Sequence, residues 1–136
     1  MHYAADYNSA LGEIVAEFGL LEWNTIYTIA LYAPGYVREA ECGKVMAGQI
    51  KTKLSTCISL ATPADQADLT SLLKRFGNAI DLRNDVLHGK PCTSPAGQQR
   101  LTRHGSILEL ADLTDRITEF RNLARDFNQF YDSRKT

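Results

Sequence analysis

Residues 62–89 read TPADQADLTSLLKRFGNAIDLRNDVLHG, and this stretch decides the fold class. It opens on a helix start signal: a Thr62 hydroxyl able to cap, Pro63 at the first helical position where no backbone N–H is missed, and Asp65 at the third. Leu69, Leu72, Leu73, Phe76, Ile80 and Leu87 then recur at steps of three and four, so the spacing predicts a helix with one apolar stripe. Lys74, Asn78, Asp81, Asp85 and His88 line a neighbouring polar side, and Gly89-Lys90-Pro91 must end the helix. One residue breaks the pattern. Arg83 projects into the middle of the stripe, between Phe76, Ile80 and Leu87, where it cannot simply point to water. Asn84 sits on the border of the two faces, and His88 follows one turn later on the same side. Arg83 and His88 lie about 140° apart on a regular helix. A single helix therefore does not aim both at one target; either the last turn distorts or a second copy of the motif supplies the missing member.

Working outward, Tyr7, Leu11, Ile14, Val15, Phe18, Leu21, Thr25, Ile29 and Tyr32 predict a long amphipathic helix from about Ala4 to Ala33, ended by Pro34-Gly35. Glu22 falls within its apolar stripe and needs a partner, because an unpaired buried charge is very costly. Arg83 is the candidate counter-charge. Glu13 and Glu17 project away and are expected to be solvated. A second helix is expected from Tyr36 to Leu60, with Lys44, Lys51 and Lys53 on its outer side; Gly43 and Gly48 within it imply either a bend or, as the preferred reading, close approach of another helix.

Beyond Gly89, residues 90–99 are rich in Pro, Gly, Ser and Gln and read as an exposed loop. Two short strands, Gln99 to His104 and Ile107 to Leu110, fit a hairpin around a Gly105-Ser106 turn. Asp112-Leu113-Thr114-Asp115 is placed to cap a last helix, with Leu113, Ile117, Phe120, Ala124, Phe127 and Tyr131 as its buried face and Leu123 and Phe130 beside them. The expected architecture is all-α: four main helices in an up-down bundle, with a short β-hairpin between the third and fourth, in one domain spanning 1–136.

A net charge of −1 over 136 residues argues against binding nucleic acid by bulk electrostatics. The balance is uneven, however. Six acids face the single base Arg38 in residues 1–41, whereas no acid lies between Val86 and Leu108, a segment carrying His88, Lys90, Arg100, Arg103 and His104. That segment could meet a phosphate. Three cysteines without metal-ligand spacing read as reduced thiols, and no apolar run reaches membrane-spanning length, so a cytoplasmic chain without metal or cofactor is expected.

The sequence Arg83-Asn84-Asp85-Val86-Leu87-His88-Gly89 near the end of the third of four helices resembles the HEPN superfamily, whose signature is R-x(4-6)-H, often with Asn after the Arg and Gly after the His. The resemblance implies a metal-independent endoribonuclease of toxin or phage-defence type, acting as a homodimer whose two Arg-His motifs line one composite cleft. It implies that His88 exchanges a proton with the RNA 2′-hydroxyl or the leaving 5′-oxygen, that Arg83 stabilises the phosphorane charge, and that Asn84 orients His88 or a phosphate oxygen. Lys90, Arg100 and Arg103 would guide RNA. The same resemblance allows a non-catalytic helical dimer that partners a nucleotidyltransferase antitoxin or an RNA-processing protein. Each residue also has a structural reading: Arg83 as the neutraliser of Glu22, His88 at the negative end of a helix dipole, and Trp23 and the tyrosines of the first helix as core or dimer interface.

Overall fold

The computed structural model describes residues 2–43 and 45–135, so Lys44 lies outside the described residues. Five helices and three short strands follow in the order α1 (Ala5–Ala30), α2 (Tyr36–Glu41), α3 (Ala47–Ile58), α4 (Pro63–Leu87), β1 (Lys90–Thr93), β2 (Gln99–Arg103), β3 (Ser106–Leu108) and α5 (Leu110–Arg134). The chain is mostly helical, but the all-α four-helix description gives way to helices plus a three-stranded antiparallel sheet ordered β1-β2-β3.

Helices α1, α4 and α5 form where the apolar periodicity placed them. Thr62 caps α4, its hydroxyl accepting the Asp65 N–H at 3.3 Å. The buried line of α4 is rotated slightly from the expected stripe: Leu69, Leu72, Phe76, Ala79 and Val86 are inside, while Leu87 is 54% exposed. In α1, Tyr7, Ile14, Phe18, Leu21, Thr25 and Ile29 are inside and Val15 is 60% exposed. Thr25 and Thr28 enter the core because their hydroxyls donate back to the Leu21 and Asn24 carbonyls, at 2.8 and 2.9 Å.

Ion pairs show how the long helices run. Arg121 reaches Glu17 at 2.9 Å and Glu13 at 3.3 Å, and the Asn24 amide donates to the Ala124 carbonyl at 2.9 Å, so α1 and α5 run in the same direction. Glu13 and Glu17 are thus paired rather than simply solvated. Arg75 pairs with Asp126 at 2.7 Å and Arg134 with Asp65 at 2.7 Å, which sets α4 against α5. Two parallel neighbours with α4 opposed to both replace the expected up-down bundle.

The expected second helix is two. Gly43 adopts φ +80°, a left-handed conformation open to glycine at little cost, and breaks the chain between α2 and α3. Among the described residues, neither Gly43 nor Gly48 has a neighbour within 4 Å of where a Cβ would stand, and no close helix approach is found there. At Gly77 of α4 the end of the Lys51 side chain lies 3.1 Å from that position.

After α4, the expected loop at 90–99 contains β1, with Lys90 paired to Thr102 and Thr93 to Gln99. Pro91 is tolerated because β1 is an edge strand. The β2–β3 turn is centred on His104 and Gly105, φ +52° and +78°, one residue earlier than expected. Positive φ at both positions matches the twist of the flanking strands. Helix α5 also starts earlier, at Leu110: Asp112 is its third residue, not its cap, and its carboxylate accepts the Glu109 N–H at 2.8 Å.

Tyr7 docks the sheet on α1. Its fully buried hydroxyl donates to the Leu108 carbonyl at 2.7 Å and accepts the Leu101 N–H at 3.0 Å, bridging β2 and β3 at the pair Leu101–Leu108. Burial pushes its phenol above the ordinary value, against the opposing effects of the Leu101 N–H and the Arg100 charge. Tyr7→Phe leaves a buried N–H and carbonyl unpaired and is expected to lower the unfolding free energy by about 1–3 kcal/mol. Urea denaturation of the two proteins measures it, and a midpoint equal to wild type would show that the strands re-pair without the hydroxyl.

Candidate functional site

The motif Arg83 to Gly89 occupies the last turns of α4, held between α1, α5 and the sheet. A Cβ on Gly89 would stand 3.0 Å from the Asp85 carbonyl and 3.1 Å from the Leu101 Cβ, so only glycine lets the chain leave the helix this close to β2. The sheet therefore packs directly on the motif.

Arg83 is half-buried, as its place in the stripe requires, and its charge is accommodated by a ring and an amide. The guanidinium lies 4.4 Å from the Phe18 ring centre, and Nε and Nη2 donate to the Asn84 side-chain oxygen at 3.3 and 2.9 Å. Asn84 thus orients Arg83, whereas the sequence reading assigned it to His88 or a phosphate. His88 is the exposed C-cap residue of α4; its backbone N–H closes the last turn on the Asn84 carbonyl at 2.9 Å. Its imidazole makes no hydrogen bond with any described residue. The structure therefore joins the Arg83 and Asn84 side chains by hydrogen bonds, and the His88 imidazole shares none with either.

Glu22 makes no ion-pair contact with Arg83 among the described residues, contrary to the direct pair expected. The two sense each other only through space: burial raises the Glu22 pKa, and the Arg83 charge offsets part of that rise. Phe18, one turn before Glu22, takes the guanidinium instead.

The three basic residues expected to guide RNA separate. Arg100 is 6% exposed: its guanidinium stacks 4.5 Å from the Tyr7 ring centre, donates to the Gln99 carbonyl and the Gln98 side chain at 3.0 Å each, and pairs with Glu109 at 3.3 Å. With its donors committed inside the fold, it is not a loop cation available to phosphate. Lys90 is exposed opposite Thr102, on the other face of the sheet from Arg103. Arg103 is drawn to α4.

Its partner there is Asp85, which the helix projection placed on the polar side and the structure places at a junction. Asp85 meets Arg116 of α5 at 3.3 Å, Arg103 of β2 at 3.7 Å and His104 of the turn at 3.9 Å. Arg116 is itself anchored, donating to the Leu82 and Asp112 carbonyls at 3.1 and 3.0 Å. Sequence reasoning missed this carboxylate because its partners are distant in the chain; the acid-free run from Val86 to Leu108 was the available hint.

On the outward side of α1, about 140° and 180° around the helix from Phe18, Trp23 and Tyr27 are exposed and continue into Tyr131 of α5, with ring centres 6.4 and 5.8 Å apart. They are surface, not core. No helix is long and apolar enough to cross a membrane among the described residues.

No family model, curated protein or solved structure matches this chain.

The desolvated Glu22 carboxylate gives a test with a definite sign. A raised pKa means that the folded state binds the proton more tightly than the unfolded chain, so the Glu22 contribution is fully present below the ordinary value of 4.5 and is lost as pH rises through the folded value. Glu22→Gln is expected to leave thermal stability at pH 7 unchanged or higher and to flatten its decline above pH 4.5. Marked destabilisation at pH 7 would restore the ion pair with Arg83.

Proposed function

We propose that this chain is a HEPN-like, metal-independent endoribonuclease that works as a homodimer with a composite Arg/His site. The observation that carries the reading is that the two motif side chains do not meet: the Arg83 guanidinium is braced by Phe18 and Asn84, and the exposed His88 imidazole at the helix end makes no hydrogen bond among the described residues. A second copy related by a two-fold axis supplies each half with its complement. Two exposed apolar side chains support such a contact: Leu87, directly before His88, and Val15, one turn from Phe18.

In this reading a base takes the proton of the RNA 2′-hydroxyl, the 2′-oxygen attacks the phosphorus, and the bond to the 5′-oxygen breaks. The leaving oxygen takes a proton. His88 serves one of these transfers, and Arg83 stabilises the pentacoordinate phosphate. The products are a 2′,3′-cyclic phosphate and a 5′-hydroxyl, and no metal takes part.

A second reading is a non-catalytic helical dimer that binds a nucleotidyltransferase antitoxin or an RNA-processing protein. It is favoured by the prior engagement of the Arg83 guanidinium with Asn84 and by the net charge of −1.

Purified protein incubated with cellular RNA in EDTA decides between them. The nuclease reading expects cleavage that falls by about 10²–10⁴-fold in His88→Ala and is likewise lost in Arg83→Ala, with circular dichroism confirming that both remain folded. Co-refolding the two inactive variants is expected to restore roughly a quarter of the wild-type rate, because half of the dimers are mixed and each mixed dimer regains one of two composite sites. Absence of cleavage by wild type, or cleavage that survives both substitutions, overturns the nuclease; absence of restoration overturns the composite site.

A further inference from the structure

The β2–β3 turn presents more positive charge beside the motif than the fold uses. Arg103 follows Leu101 by two residues on β2, so it shares the face of the sheet that packs on the end of α4. Its Nε is buried without a hydrogen-bond partner among the described residues, 3.7 Å from the Asp85 carboxylate, within ion-pair range but beyond a hydrogen bond. Its two terminal nitrogens donate to no described residue. Structural arginines of this molecule look different: Arg100 and Arg116 each place three donors on named acceptors. Buried polar nitrogens left unsatisfied are rare and call for a partner.

His104 extends the site. It sits at φ +52°, an uncommon conformation for a residue with a Cβ, and holds an exposed imidazole 3.9 Å from the same carboxylate. The charges at the junction do not cancel. Asp85 is the carboxylate that contacts the group, faced by the guanidinium groups of Arg103 and Arg116 with the His104 imidazole beside them, and Asp81 one turn earlier on α4 points to solvent. Asp85 precedes His88 by three residues, so the two lie on adjacent positions of the α4 surface, about one turn apart.

We infer that Arg103 and His104 form a phosphate-binding subsite for RNA, distinct from Arg83 and His88 and held beside them by Asp85, that takes a backbone phosphate neighbouring the one cleaved. This rests on the nuclease reading for its substrate class. The planar guanidinium, steered by Asp85 through its inner edge and open at its outer edge, offers the fork that binds two phosphate oxygens. Such a contact positions the strand without reading its sequence. It would contribute to substrate binding and leave the chemical step to the motif.

The test uses a 2′-O-methylated RNA oligonucleotide, which binds but lacks the attacking hydroxyl, titrated against the intact protein at several salt concentrations, with cleavage of unmodified RNA followed in parallel. Arg103→Ala is expected to weaken binding about tenfold and to reduce the slope of log K against log salt by about 0.7, the loss of one phosphate contact on a single strand. In cleavage it should raise KM with kcat unchanged. Arg103→Lys, which keeps the charge and the Asp85 pair, should retain the salt slope while losing part of the affinity, and melting curves of both variants report their folding. Wild-type binding that Arg103→Ala weakens as expected, with no cleavage of unmodified RNA, keeps the subsite and removes the nuclease. Cleavage with Arg103→Ala matching wild type in affinity and slope, or a fall in kcat at unchanged KM, removes the subsite alone. Wild type that neither binds the oligonucleotide nor cleaves unmodified RNA removes both.

Discussion

The Phe18 ring is the contact on which the helical part of the molecule turns. It stacks on Phe76 of α4 at 6.2 Å between ring centres, meets Phe120 of α5 edge-on at 5.3 Å, and carries the Arg83 guanidinium at 4.4 Å. Three long helices and the motif therefore share one aromatic surface. The arrangement explains how a permanently charged group is tolerated in an apolar stripe: the ring face is electron-rich, the Asn84 oxygen takes two donors, and Glu22 contributes charge from further away without contact. Were Arg83 held by a direct ion pair, its charge would be neutralised. Held by a ring and an amide, it keeps its positive field.

Local periodicity made the long helices legible, because their apolar repeats and the Thr62-Pro63 signal are properties of contiguous residues. What depended on contacts across the chain was not. Gly43 and Gly48 carry the same local signal, yet Gly43 breaks the chain through a left-handed backbone and Gly48 lies inside α3. Strand β1 has the composition of a loop and becomes a strand only because β2 lies beside it. The candidate site divides the same way. The motif and the awkward position of Arg83 could be read from one helix projection, whereas the burial of Arg100 depends on Tyr7, ninety-odd residues away, and the role of Asp85 on Arg116 in the next helix. Both were read as solvent-facing because nothing beside them in sequence says otherwise.

Charge in this protein is spent mainly on fastening helices together. Arg75, Arg116, Arg121 and Arg134 each bridge two helices. Pairs of this kind at the surface contribute little individually, about 0–1 kcal/mol, but they fix which helix faces which. Arg103 and His104 stand apart from that group, at a turn rather than between helices. The near-neutral total therefore conceals a local excess next to the motif, which is why net charge is a poor guide to what this surface can bind.

The bridge between Tyr7 and the strand pair Leu101–Leu108 also bears on how the chain acquires its fold. The partners are separated by 94 and 101 positions, and the Asn24–Ala124 and Glu13–Arg121 contacts by 100 and 108. Such distant pairings close slowly, since a long loop must be ordered before they form. On a ribosome α1 emerges well before α5, its main packing partner, and its apolar side waits for α5 to be synthesised. Until then that surface is open to association with other chains. The interval between the synthesis of α1 and that of α5 is accordingly when a new chain is most open to misassociation.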